Sequence, residues 1–370
     1  MRYQHARVVL AACLFAAAAA AQGTFDGYKT VGYESTGFGL GQFVPNFAPT
    51  SAAVAQQQDP TYDRRELFQQ HHGDFMNRME RYEPMIEIGG SYAPSASIKN
   101  EDGHFDETGY FADINLPWNV STEGYLLFGA YYQARHYNFV QMGIPGNGPG
   151  GALNDETLVG TGLKLGFGAF LDNDGNILLE VECAPGIWSD MDDGFHHKDF
   201  DFPGHAVITY RAVDNLFFKI GARYNQVYED APWLPVLGLS WDISGAAPSG
   251  AGDADLGGWR LDIWLPERAE VSYWPSGSTG WLLGAEVTGA EYRVHTSEAT
   301  GSQQADARVQ EIVAYLGMVH RMSDYLSLNA RVGMLLAGDY DLTNGAAGYN
   351  NVEGSLGQSL WGEFSIGIDF

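Results

Sequence analysis

Read at period two, the stretch from Leu360 to Phe370 separates into two faces. Leu360, Gly362, Phe364, Ile366, Ile368 and Phe370 fall on one; Trp361, Glu363, Ser365, Gly367 and Asp369 fall on the other. Such alternation specifies a β-strand whose two sides meet different solvents. The sequence closes on the aromatic itself. A strand of this kind is expected to shut a sheet inside an apolar medium, and few folds accommodate that.

The same period runs upstream. Tyr110, Ala112, Ile114 and Leu116 share a face opposite Asp113 and Asn115. Leu126, Phe128, Ala130, Tyr132 and Ala134 oppose Gln133 and Arg135, and Leu163, Leu165 and Phe167 oppose a row of glycines interrupted by Lys164. Leu326, Leu328, Ala330, Val332, Met334 and Leu336 oppose Ser327, Asn329 and Arg331. The pattern predicts strands at 85–94, 108–116, 124–138, 156–171, 176–188, 204–211, 214–228, 232–243, 258–265, 268–274, 279–294, 306–320, 324–338 and 359–370. Several reach the roughly 9–11 residues that a tilted membrane strand needs. The fold expected is all-β: a closed antiparallel up-and-down transmembrane β-barrel of about 12–14 strands. A soluble secreted β-sandwich is the competing architecture, because its core could also produce apolar faces.

Connection lengths test the barrel, whose turns are short at one end and long at the other. The predicted connections alternate except in the middle, where 244–257 is long in place of a turn and Pro266-Glu267 is tight in place of a loop. Either a strand is miscounted there or a long loop hangs on the turn side.

The terminal row Phe364, Ile366, Ile368 and Phe370 resembles the C-terminal assembly signal of bacterial outer-membrane barrels. A second likeness lies in Asp230-Ala-Pro-Trp-Leu-Pro-Val-Leu-Gly-Leu-Ser-Trp241, followed by Trp259-Arg-Leu-Asp-Ile-Trp-Leu-Pro266. From about residue 85 onward the chain resembles an uncharacterised family of outer-membrane barrels of Gram-negative bacteria. The resemblance implies a fold and an address, with barrel-assembly machinery, lipid and lipopolysaccharide as partners. It implies no catalytic residue.

The N-terminus agrees with that address. Arg2, His5 and Arg7 precede an apolar run, and Ala19-Ala20-Ala21 before Gln22 fits a small-residue cleavage site. Residues 1–21 therefore read as a secretory signal peptide. Residues 22–84 read as a loosely ordered segment with one marginal helix over Tyr62–Arg81, broken at Gly73, and 85–370 as the barrel. After the signal a single thiol remains, Cys183, so no internal disulfide supports the fold. A formal charge of -26 excludes nucleic acid as a partner, since its phosphates would be repelled.

Two constellations bear on function. Charges on the face opposite the apolar rows are expected to line a lumen: Arg135, Lys164, Glu180, Glu182, Lys219, Arg223, Arg260, Asp262, Arg331 and Glu363, with Glu87, Asp113 and Asp242. Rows of this kind set the ion preference of a pore, or fill an occluded barrel with ion pairs. Asp190, Asp192, Asp193, His196 and His197 form an acidic, histidine-bearing stretch that could hold a divalent cation on an external loop. The other reading is a solvated loop. No other cofactor is expected. Ser240, His205 and His320 are the available hydrolase groups, but no motif links them, so an enzyme is not expected. Small solutes passing a polar lumen, or a non-conducting surface barrel binding cations or partners, are the two functional readings.

Overall fold

A computed structural model describes the chain from Ile86 to Ile368, apart from residues 99–102, 122, 142–155, 173, 192–195, 198, 214, 226–232, 244–257, 277, 297–302, 324 and 345–351. The expected signal peptide, the segment 22–84 with its expected helix, and Phe370 lie outside the described residues.

Every described element is a strand, and all of them belong to one sheet. They are β1 (Ile86–Ser97), β2 (Gly103–Asn119), β3 (Gly124–Gln141), β4 (Glu156–Phe170), β5 (Ile177–Cys183) and β6 (Gly186–Ser189). Next come β7 (Phe200–Asp201), β8 (Gly204–Val213), β9 (Leu216–Tyr224), β10 (Trp233–Asp242), β11 (Trp259–Leu265) and β12 (Arg268–Ser276). The last are β13 (Thr279–Thr296), β14 (Gln303–Ser323), β15 (Leu326–Asn344), β16 (Val352–Leu356) and β17 (Ser359–Ile368). Three walls are each made of two pieces: β5 with β6, β7 with β8, and β16 with β17. Counted as walls, the barrel has the fourteen expected from the sequence. It closes where β17 pairs antiparallel with β1, Ile368 opposite Ile86.

Among the described residues no second sheet covers the apolar rows. Ile88, Tyr110, Phe128, Leu163, Ile220, Leu316, Val332, Leu360 and Phe364 are all exposed on the outer face. That removes the sandwich, which would bury them between layers. β10 pairs with β11 and β11 with β12, so among the described residues the strand count stands, with the connection 243–258 at the turn end and Pro266-Glu267 at the loop end.

The walls differ in height. β2, β3, β13, β14 and β15 run 17, 18, 18, 21 and 19 residues, whereas β8 to β12 run between 7 and 10. On β14 the outward side chains from Met318 to Ile312 are apolar, with His320 bonded to Thr279 at the turn-end edge, and then become Gln310, Arg308 and Asp306. On β13 they pass from Trp281, Leu283 and Val287 to Glu291 and Arg293. The tall walls thus leave the apolar belt and continue as strand with a polar exterior. Arg308 pairs with Asp341 at 2.8 Å and Arg293 with Asp306 on that outer surface. The low walls stop at the belt, where outward Tyr224 and Trp233 stack 5.1 Å apart; Trp241 marks the other edge of β10. Aromatic residues at both edges of an apolar band are the girdle of a membrane barrel.

Above the belt the tall walls close a second, narrower ring. Ile98 bridges to Leu356, and on the far side Ser189 of β6 meets Arg293 of β13 in a parallel contact, with Asp190 N donating to Arg293 O at 3.1 Å. The ring passes through β6, β4, β3, β2, β1, β16, β15, β14 and β13. Its interior is dry: Phe105, Tyr137, Phe139, Leu158, Val294, Tyr340 and Leu356 pack into one core. Phe139 reaches from β3 to Tyr340 of β15, ring centroids 5.1 Å apart. This hood corrects the boundaries read from sequence. Residues 103–107 and 339–344, expected in loops, are strand, because polar outward residues there face solvent rather than hydrocarbon.

Candidate functional site: the lumen

Each predicted lumen charge that the register places lies on the inner face, and most are paired. Lys164 Nζ donates to Asp113 at 2.5 Å and to Asn115 at 3.2 Å. Arg331 sits between Glu363 at 3.3 Å and Glu286 at 3.6 Å. Asp262 accepts from Ser240 at 2.6 Å and Arg268 at 2.8 Å, with Lys219 3.8 Å away. Tyr125 Oη donates to Glu180 at 2.7 Å, and Ser365 Oγ to Glu87 at 2.5 Å. Arg223 pairs with Glu267, while Glu182 stands opposite His205 and Arg260 opposite Asp242 in the ladder.

Glycines make these long contacts possible. Tyr125, Gly168 and Glu180 occupy one rung across β3, β4 and β5, so the tyrosine reaches over the glycine to the carboxylate beyond. Tyr315, Gly284 and Glu270 repeat the arrangement across β14, β13 and β12, with a bond of 2.8 Å. Lys219 crosses Gly238 to lie 5.1 Å over Trp264, and Lys164 crosses Gly129 towards Asn115. A Cβ on Gly284 would fall 2.7 Å from the Tyr315 ring. Gly284→Val is therefore expected to displace Tyr315 from Glu270 and destabilise the barrel by about 1–3 kcal/mol. Outward Gly362, whose nearest neighbour would be 3.7 Å away, should accept valine without measurable loss. Urea unfolding of the two variants in lipid vesicles, followed by tryptophan fluorescence, separates them.

One layer crosses the lumen. Arg135 Nη1 donates to Glu107 Oε1 and Glu311 Oε2, each at 3.2 Å, and its Nη2 donates to Thr288 Oγ1 at 2.9 Å. Beside it Gln133 donates to Tyr292 Oη at 2.8 Å, and Trp188 packs against Tyr292 with tilted rings, centroids 5.7 Å apart. These contacts bind β2, β3 and β6 to β13 and β14, sealing the floor of the hood. The two carboxylates are sunk in that layer, the Glu107 and Glu311 side chains being 4% and 3% exposed, while Arg135 between them is 18% exposed towards the lumen below. Below it Asp113 is 27% and Glu286 19% exposed. Arg331 and Asp262, by contrast, are only 8% exposed, so the turn-end half of the lumen is partly solvated around Asp113, Lys164 and Glu286 and tightly paired elsewhere, while the core of the hood is dry.

Glu107 and Glu311 were missed from sequence because 107 was assigned to a loop and Glu311 sits among Val309, Val313 and Tyr315 on a face otherwise apolar. In the wet half the inner carboxylates outnumber the cations. Glu87, Asp113, Glu180, Glu182, Asp242, Asp262, Glu270, Glu286 and Glu363 face Lys164, Arg211, Lys219, Arg223, Arg260, Arg268, Arg321 and Arg331.

The expected metal cluster does not assemble from what is described. Asp190 is buried and accepts from Ser189 Oγ at 3.3 Å, whereas His196 and His197 are exposed. Asp192 and Asp193 lie outside the described residues, and among those described no three metal-ligating side chains converge. The hydrolase groups do not meet either. The Ser240 hydroxyl is held by Asp262 and His205 stands edge-on to Trp264 at 5.7 Å. His320, on the outer face, bonds Thr279 at 2.9 Å.

No protein-family model matches this chain, and no curated protein matches it. Among solved structures it is similar to an outer-membrane channel of Pseudomonas putida F1, at 9% identity and a TM-score of 0.38, covering 78% of this chain and 97% of that one. It is also similar to the Pseudomonas putida toluene transporter TodX (9%, 0.34, covering 87% and 95%) and to the NanC porin (9%, 0.31, covering 77% and 100%). At these values what the barrel does has to be argued from its own residues.

Proposed function

We propose that this chain is an integral outer-membrane barrel, exported by a cleaved signal, that passes small polar solutes with a preference for cations. The observation that carries this reading is the wet, charge-lined half-lumen inside an uncovered apolar belt. A sealed barrel would gain from apolar filling, since buried ion pairs rarely outdo well-packed hydrocarbon in stability. The carboxylate excess along that wall favours cations through local potential. Lipid and lipopolysaccharide would surround the belt, and the row Phe364, Ile366, Ile368 and Phe370 would serve assembly.

Purified protein in planar bilayers is expected to give small, steady unitary currents. Under a salt gradient the reversal potential should shift towards that of the cation. The filled hood supports a second reading, a non-conducting surface barrel, and a silent bilayer would decide for it. Anion selectivity would retain the channel and refute the charge argument.

A further inference from the structure

We infer that the loop-end opening of this barrel lies off its axis, on the arc of low walls, at a mouth governed by the Arg223–Glu267 ion pair; the inference rests on the channel reading above. Three observations point there. The axial route is filled, since the hood closes on itself through the β6–β13 contact and packs a dry core. The floor of that hood is sealed by Arg135, which ties β3 across the lumen to β14. The remaining arc, β9 to β12, ends at the interfacial pair Tyr224 and Trp233, and among the described residues no hood strand stands above it.

The inner rim of that arc is polar and reached by solvent. Arg223, near the end of β9, pairs across β10 with Glu267 in the two-residue turn between β11 and β12. Their side chains are 25% and 20% exposed, against 18% for Arg135 and 4% and 3% for its two carboxylate partners at the hood floor. Just below, Trp264 carries Lys219 over its ring at 5.1 Å and His205 at its edge. A solute entering here meets one cation and one carboxylate first, then an aromatic face flanked by a second cation. That sequence of groups suits small zwitterionic or mixed polar and apolar solutes, whose opposite charges could exchange with the rim pair.

The test uses full-length protein with Cys183→Ser, so that introduced thiols are the only ones in the mature chain. Arg223→Cys and Glu267→Cys place a thiol on the rim, and Ala305→Cys places one inside the hood, where the alanine is fully buried. A charged, membrane-impermeant methanethiosulfonate is added from the loop side. Both rim thiols are expected to be labelled and their currents to fall about twofold, while the Ala305→Cys barrel keeps its current unlabelled. Labelling read by mass needs no current, so the opening is located even in a silent bilayer, an outcome that would sink the channel reading alone. Labelling of Ala305→Cys as fast as the rim, or none at either rim position, would overturn the off-axis mouth. Having two rim variants guards against one that fails to fold, judged by the heat-dependent gel shift of a closed barrel.

Discussion

Replacing Arg135 by alanine is expected to destabilise the barrel by about 3–5 kcal/mol, the cost of stranding buried charge. The guanidinium bonds Glu107, Glu311 and Thr288 at 3.2, 3.2 and 2.9 Å, and both carboxylates are almost wholly buried. Even with the arginine in place, Glu107 Oε2 and Glu311 Oε1 have no hydrogen-bond partner among the described residues. Removing it leaves the two carboxyl groups without their cation in a buried layer, which then has to take up a proton, admit water or part. The double variant Arg135→Ala, Glu311→Gln should recover part of the loss, because one charge is gone and an amide donor becomes available to Glu107. Urea unfolding in vesicles measures both. Were Arg135→Ala within about 0.5 kcal/mol of the parent, as a surface change would be, the layer would have to be wet and the closed hood wrong.

How far this architecture can be read from the residues depends on which solvent each face meets. Within the belt the contrast is between hydrocarbon and a polar lumen, so period two is strong. Leu326 to Met334 against Ser327, Asn329 and Arg331 fixes both face and register. Above the belt both contrasts invert. Outside, Asp106, Asn138, Arg308 and Asp341 look like loop; inside, Phe105, Tyr137 and Tyr340 look like membrane surface. Bulges between Ala93 and Ala96 on β1, and at Ile312–Val313 on the β14–β15 ladder, also disturb the period, so that Tyr340 and Leu342 face inward where an unbroken count puts them outside. The hood was therefore invisible, although its residues were all in view. The lumen charges were legible individually, but their pairing was not, because partners lie two walls apart across a glycine. Only the register reveals that Gly168, Gly284 and Gly238 stand under the side chains that cross them.

The second large effect concerns the outside of the barrel. Val332 lies mid-strand on β15, 67% exposed, with Leu316 and Gly362 beside it on the outer face. If hydrocarbon covers that face, Val332→Arg forces a guanidinium towards the bilayer midplane, at a cost of about 2–4 kcal/mol. On the surface of a water-soluble protein the same substitution, at a site so open, should change stability by less than about 0.5 kcal/mol. Position 343 provides the internal standard. Thr343 points outward on the same strand but above the belt, level with Asp306 across the ladder. Thr343→Arg is therefore expected to be neutral, while Val332→Arg should shift the urea midpoint and slow insertion into preformed vesicles. Equal costs at the two positions would mean that no depth-dependent medium surrounds the strand. The apolar rows would then need another cover, and the channel with its address would fall with the belt.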